Sequence, residues 1–119
     1  MISDKEMTKR IAITGGAGFV GSNLACMMAR DRPDCAVVAF DNLKRRGSEL
    51  TLGRLETAGV DFVHGDVRVA SDIAALGSVD LMIECSAEPS VLAGRNGDPS
   101  YVLDTNLNGA LNCIEHLRH

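Results

Sequence analysis

The segment Thr14-Gly15-Gly16-Ala17-Gly18-Phe19-Val20-Gly21 restricts the fold of this chain more than any other stretch. It follows the run Arg10-Ile11-Ala12-Ile13 and opens onto the apolar, helix-spaced positions Val20, Leu24, Met27 and Met28. The spacing predicts a strand, a glycine turn and a helix start. Gly15 suits the tight turn out of the strand, Gly18 leaves no Cβ where a pyrophosphate must approach the backbone, and Gly21 lets the helix lie close against the sheet. The free N–H groups and positive end of that helix then face the phosphates. Gly16, Gly18 and Gly21 also satisfy G-x-G-x-x-G, so the fingerprint is met in two registers. A phosphate loop of the Walker type needs Lys after its last Gly, and Ser22 stands there. The competing reading is a glycine-rich turn without a ligand.

The remainder alternates strand and helix patterns. Residues 35–40 are a short, nearly unbroken apolar run, as expected of a parallel strand buried on both faces. The run ends at Asp41, about twenty positions past Gly21, where a dinucleotide fold places the carboxylate that accepts hydrogen bonds from the adenosine ribose. A polar loop follows, with Ser48 as an N-cap candidate, Leu52 and Leu55 as one apolar stripe, and Gly59 as a helix stop. Residues 60–65 read as a third strand. Beyond it, the Asp66 carboxylate is placed to accept a hydrogen bond from an adenine amino group while Val67 packs on the ring. A plain turn role for Asp66 explains the residue equally well. His64 reads as a strand histidine with a satisfied ring.

Ser71 is a cap candidate for a short helix through Ile73 and Leu76, and residues 79–84 supply a fourth strand. Right-handed crossovers then give a Rossmann-type, doubly wound parallel α/β sheet in the order 3-2-1-4, with ligands bound at the switch between strands 1 and 4. The loop 85–89 is a candidate wall for a nicotinamide. After Asp98 and Pro99, a helix carries Leu103, Leu107, Ala110, Leu111, Ile114 and Leu117 at helical spacing, expected to pack on the sheet. Asn106 stands beside that stripe, and Gly109 suggests a close approach to its backbone.

The 119 residues allow one domain at most, read as a lead-in over 1–8 and a nucleotide-binding domain over 9–119. Net charge is −4 and only Lys44-Arg45-Arg46 is locally basic, which argues against a nucleic-acid surface. No apolar run is long enough to cross a membrane, and residues 1–7 lack the apolar core of a signal peptide. Cys26, Cys35, Cys85 and Cys113 form no C-x-x-C pair, so they read as reduced cysteines of a cytoplasmic protein rather than metal ligands or a disulfide framework.

Together, TGGAGFVGS at 14–22, DNL at 41–43, GDV at 65–67, SAEPSV at 86–91, and Asp98, Pro99, Asn106, Gly109 and Asn112 resemble the N-terminal part of an extended short-chain dehydrogenase/reductase. The resemblance is to its NAD-dependent epimerase/dehydratase group, which acts on nucleotide sugars. DNLKRRGSEL and SAEPSVLAG look most like the branch with the CDP-paratose 2-epimerases, and UDP-glucose 4-epimerases are cousins. The resemblance implies NAD as cofactor, with Gly15, Gly18, Phe19 and Val20 on the pyrophosphate, and Asp41 and Asn42 on the ribose. It puts Asp66 and Val67 on the adenine, Ser86 and Ala87 on the nicotinamide side, and has Asn106 fix the cofactor loop. It further implies a nucleotide-sugar substrate and a homodimer in the full-length enzyme. Glu84 departs from the pattern, since many relatives carry an uncharged residue or His there.

Family chemistry resembles a transient hydride transfer in which a Tyr, assisted by a Lys four residues on, removes a sugar hydroxyl proton. The only tyrosine here is Tyr101, followed four residues on by Thr105. The expectation is therefore a cofactor-binding piece, truncated before its second half and inactive alone. The alternatives are a stand-alone dinucleotide-sensing module and an S-adenosylmethionine-dependent methyltransferase.

Overall fold

The computed structural model describes residues 8–86 and 99–118. Strands β1 (Lys9–Thr14), β2 (Cys35–Asp41), β3 (Asp61–His64) and β4 (Leu81–Glu84) pair in parallel in the order β3-β2-β1-β4. This is the expected Rossmann order, with its switch point between β1 and β4. Helix α1 (Phe19–Asp31) joins β1 to β2. A 3-10 turn (Ser48–Thr51) and α2 (Leu52–Thr57) lead to β3, and α3 (Ala70–Ala74) leads to β4. The last helical stretch comprises α4 (Ser100–Leu103), a π-helical turn (Asp104–Asn108) and α5 (Gly109–Leu117).

Alternation along the strands divides the core between the two sheet faces. Ile11, Ile13, Val37 and Ala39 meet Ala25 of α1 and Leu55 of α2 on one side. On the other, Ala12, Val38 and Phe40 meet Val67, Ile73 of α3, Leu76 and Cys113 of α5. A parallel strand covered on both faces needs this continuous apolar character, which β1 and β2 have.

Several local expectations are corrected. Ser48 is not a cap: it is the first residue of the 3-10 turn, whose N-cap is Gly47, and the N-cap of α2 is Thr51. Ser71 lies inside α3, whose N-cap is Val69. In α1 the buried face is Gly21, Ser22 and Ala25, while Val20 and Met27 are exposed. Small residues let this helix approach the glycine turn closely, which turns the larger apolar positions toward its flanks and the solvent.

The final helix departs most. Leu103, Leu107, Leu111, Ile114 and Leu117 are exposed, so this stripe does not pack on the sheet. The docking face is formed by buried Gly109 and Cys113 together with two polar ties. Asn112 Nδ2 donates to the Val67 carbonyl at 2.8 Å, and the His116 ring lies 2.7 Å from the Gly77 carbonyl. A Cβ on Gly109 would fall 2.6 Å from Val67 Cγ2, which is the close approach inferred for this glycine. His64 is satisfied as expected, its ring 3.1 Å from the Asn42 carbonyl. Apart from Thr8, the lead-in lies outside the described residues.

Candidate functional site

Past the carboxyl ends of β1 and β2 lies a cleft of about 680 Å³, walled by the glycine turn, the loops after β2, β3 and β4, and the start of the last helical stretch. Its floor is the turn after β1. Gly15 adopts φ +65°, and a Cβ there would sit 2.6 Å from the Cys85 carbonyl oxygen. The turn and the β4 loop therefore touch backbone to backbone, which only glycine permits. A Cβ on Gly21 would overlap the Gly15 carbonyl, so the contact that this glycine allows is with the turn itself rather than with the strands. The close approach to the sheet is made by Gly16, in the turn itself: its Cβ would stand 2.5 Å from that of Ala39 on β2. Gly18 is less confined, with the Gly15 carbonyl 3.2 Å from a would-be Cβ, and it lines the cleft.

Gly18 is also the N-cap of α1, where no side chain makes a capping bond. Ser22 N–H donates to the Gly18 carbonyl at 2.9 Å, so the amides of Phe19, Val20 and Gly21 lie ahead of the helical ladder. Phe19 and Val20 are exposed and line the cleft. The result is an electropositive helix end with no protein acceptor from a capping side chain, a setting suited to an anion.

Asp41, at the end of β2, lines the cleft, yet its carboxylate already has backbone work. Oδ2 accepts the Ala17 N–H at 3.0 Å and Oδ1 accepts the Leu43 N–H at 2.8 Å. The acid thus ties the glycine turn to the loop after β2, and each oxygen keeps further acceptor capacity. Asn42 donates from Nδ2 to Asp66 Oδ2 at 3.1 Å, linking the loops after β2 and β3. The turn role proposed for Asp66 is realised: its Oδ1 accepts Arg68 N–H at 2.9 Å, and the Arg68 guanidinium grips the carboxylate at 2.7 Å. That guanidinium, chiefly, holds the Asp66 carboxyl well below the usual carboxylate range, against the opposing effect of burial. Val67 lines the cleft but is 5% exposed and belongs to the core, so most of its side chain meets protein rather than standing free for a ring.

On the far wall, Cys85 and Ser86 line the cleft, whereas Ala87 lies outside the described residues. Asn106 is exposed and is not among the lining residues; Tyr101 and Thr105 occupy that side instead. Lys44 and Arg45, from the locally basic run noted in the sequence, also line the cleft. Lys44 Nζ stands 3.6 Å from the centroid of the Tyr101 ring, and Arg68 approaches the same ring at 5.1 Å. These cation–π contacts join the loops after β2 and β3 to α4 across the cleft. Sequence reasoning missed Tyr101 and Thr105, although one signal was present: binding beyond the carboxyl ends of the strands also brings the first turns of the helix after β4 to the crevice.

Burial raises the Cys113 thiol to about 11, with the Glu84 charge adding to it, and the same two causes raise Cys85. Both are thiols at neutral pH. Among the described residues no group of three or more His, Cys, Asp or Glu side chains is arranged to hold a metal ion. No helix among them is long and apolar enough to cross a membrane.

The profile of the NAD dependent epimerase/dehydratase family matches residues 11–119. The CDP-paratose 2-epimerase of Salmonella typhi is 34% identical over 112 residues, covering 92% of this chain and 32% of that protein. A dTDP-glucose 4,6-dehydratase of Mycobacterium tuberculosis is 33% identical over 110 residues, covering 92% of this chain and 33% of its own length. Among solved structures, the ADP-L-glycero-D-manno-heptose-6-epimerase of Helicobacter pylori superposes with a TM-score of 0.78 at 27% identity, over 93% of this chain and 36% of that one. The chain spans about a third of the length of the curated relatives it matches.

Proposed function

Since this chain belongs to the NAD dependent epimerase/dehydratase family, we propose that it forms the NAD-binding part of a cytoplasmic nucleotide-sugar epimerase or dehydratase that works by transient hydride transfer. The observation that carries this reading is the uncapped start of α1 at Gly18, facing the same cleft as Asp41. A helix end with unladdered amides suits a pyrophosphate, and a carboxylate at the end of β2 suits ribose hydroxyls. Family membership also favours the enzyme reading over a stand-alone sensor or a methyltransferase.

In this assignment Gly15, Gly18, Phe19 and Val20 hold the pyrophosphate. Asp41 and Asn42 bind the adenosine ribose, and Asp66 with the exposed edge of Val67 borders the adenine. Ser86 and Ala87 form the nicotinamide side, while Asn106 helps to fix the cofactor loop from outside the cleft lining. Bound NAD supplies the hydride acceptor; the residues of this chain bind and orient it. Asp41 favours NAD over NADP because a second negative charge at the ribose 2′-position would be repelled. Lys44 and Arg45 oppose that repulsion, with Lys44 engaged on Tyr101.

The proton-transferring Tyr and its Lys are not contained in these 119 residues, since Tyr101 is the only tyrosine and Thr105 stands four positions on. The residues described here therefore contribute cofactor binding, and a nucleotide sugar is the substrate of the full-length enzyme. The exposed leucine and isoleucine stripe of the last helix supports a homodimer. Calorimetric titration with NAD and NADP tests the proposal: saturable NAD binding, tighter than NADP, is expected. Absence of NAD binding at millimolar concentration would overturn it.

A further inference from the structure

Glu84 closes β4 and pairs in register with Thr14, the last residue of β1, so it stands directly at the switch point of the sheet. One of its oxygens, Oε1, accepts two bonds: the hydroxyl of Thr14 at 3.0 Å and the N–H of Ser86 at 2.6 Å. Thr14 is completely buried, and its hydroxyl oxygen in turn accepts the Cys85 N–H at 3.2 Å. A chain of hydrogen bonds thus runs from the loop backbone through Thr14 to the carboxylate and back to the loop. Cys85 and Ser86, the residues held in this way, form a wall of the cleft. The charge is felt nearby, because it contributes to raising both the Cys85 and Cys113 thiols.

We infer that Glu84 is a positioning residue that fixes the wall after β4, and that its fixed negative charge makes the site hold oxidised NAD⁺ more tightly than NADH. This rests on the NAD reading above. The nicotinamide ring is a cation when oxidised and neutral after accepting a hydride, so the two forms differ by one positive charge. An anion anchored at the switch point attracts the first form and is indifferent to the second. A merely structural role for Glu84 would change the binding of both forms alike.

Glu84→Gln separates the two roles, because the amide keeps one carbonyl oxygen to accept the Thr14 and Ser86 bonds while losing the charge. Binding of NAD⁺ and NADH is measured by calorimetry for the protein carrying this sequence and for its E84Q and E84A variants. E84Q is expected to shift the NADH/NAD⁺ affinity ratio toward NADH by about 3- to 10-fold, the size of one fixed charge acting within a Debye length through partly screened surroundings. E84A is expected to weaken both forms as well. As a second measurement on the unaltered protein, the preference for NAD⁺ should shrink as salt rises. An E84Q ratio within twofold of the parent's, or a preference insensitive to salt, overturns the inference while leaving NAD binding intact. If the parent binds neither form, the underlying reading falls with it.

Discussion

Replacing Asp41 tests whether one carboxylate serves both scaffold and ligand. It accepts two backbone N–H groups, from Ala17 in the glycine turn and Leu43 in the next loop. Hydrogen bonds to a charged acceptor contribute about 1.5–3 kcal/mol each, and the half-exposed position lets water recover part of that. Asp41→Asn keeps one acceptor but turns an NH2 toward the other amide, so it should cost about 1–2 kcal/mol, and Asp41→Ala, which loses both, about 2–4 kcal/mol. The ligand effect has a different order. Asn removes the charge that repels a 2′-phosphate, so the preference for NAD over NADP should narrow in both variants by a similar factor. Urea unfolding gives the stabilities and calorimetry the two affinities. Stability unchanged in Asp41→Ala would refute the scaffold role. An unchanged NAD/NADP ratio would refute the ligand role, whatever the stability.

The two glycines at the start of α1 should behave differently. Gly18→Val is expected to abolish NAD binding at a modest cost in stability and with a cooperative melt, since a Cβ there meets only the Gly15 carbonyl, tightly, at 3.2 Å, whereas Gly21→Ala drives a Cβ into that carbonyl and should lower the melting temperature sharply. Asp66 carries a pH signature. Its folded pKa lies below the unfolded value of about 3.9, so its contribution is present above that pH and is lost as pH falls toward the folded pKa. Arg68→Gln should therefore be less stable than the parent at pH 7, with a deficit that begins to shrink below about pH 4, is still largely present at about pH 3 and closes only at lower pH; a deficit that stays constant down to about pH 2 in thermal melts would show that Arg68 acts through packing instead.

The strand order was legible because β1 and β2 are apolar on both faces and the glycine turn marks their junction. Gly109 was legible too, as a helical glycine with no local use. What escaped depended on distant partners. Asp41 looks like a free acid until the Ala17 and Leu43 amides are seen beside it, and Lys44 looks solvated until Tyr101, fifty-seven positions later, comes to meet it. The leucine stripe of the last helix misled for a similar reason. Periodicity reports that a face is apolar, not which surface it meets, and here Gly109, Cys113, Asn112 and His116 took the sheet. Asn106 followed that misplaced face.

The π-helical turn Asp104–Asn108 acts as a phase corrector. Tyr101 reaches into the cleft and Gly109 seats against Val67, and these residues are eight apart. In an unbroken α-helix eight residues overshoot two turns by about 80°, which would point the two in different directions. A wide turn absorbs one residue, leaving an effective seven, within about 20° of two full turns. The same side of one helical rod can then serve both the ligand crevice and the core. Winding the same eight residues as a regular α-helix, without the wide turn, would force a choice: keep Gly109 on Val67 and swing the ring away from Lys44, or keep the ring and lift the helix from the sheet; deleting one residue of the turn would instead leave the two aligned.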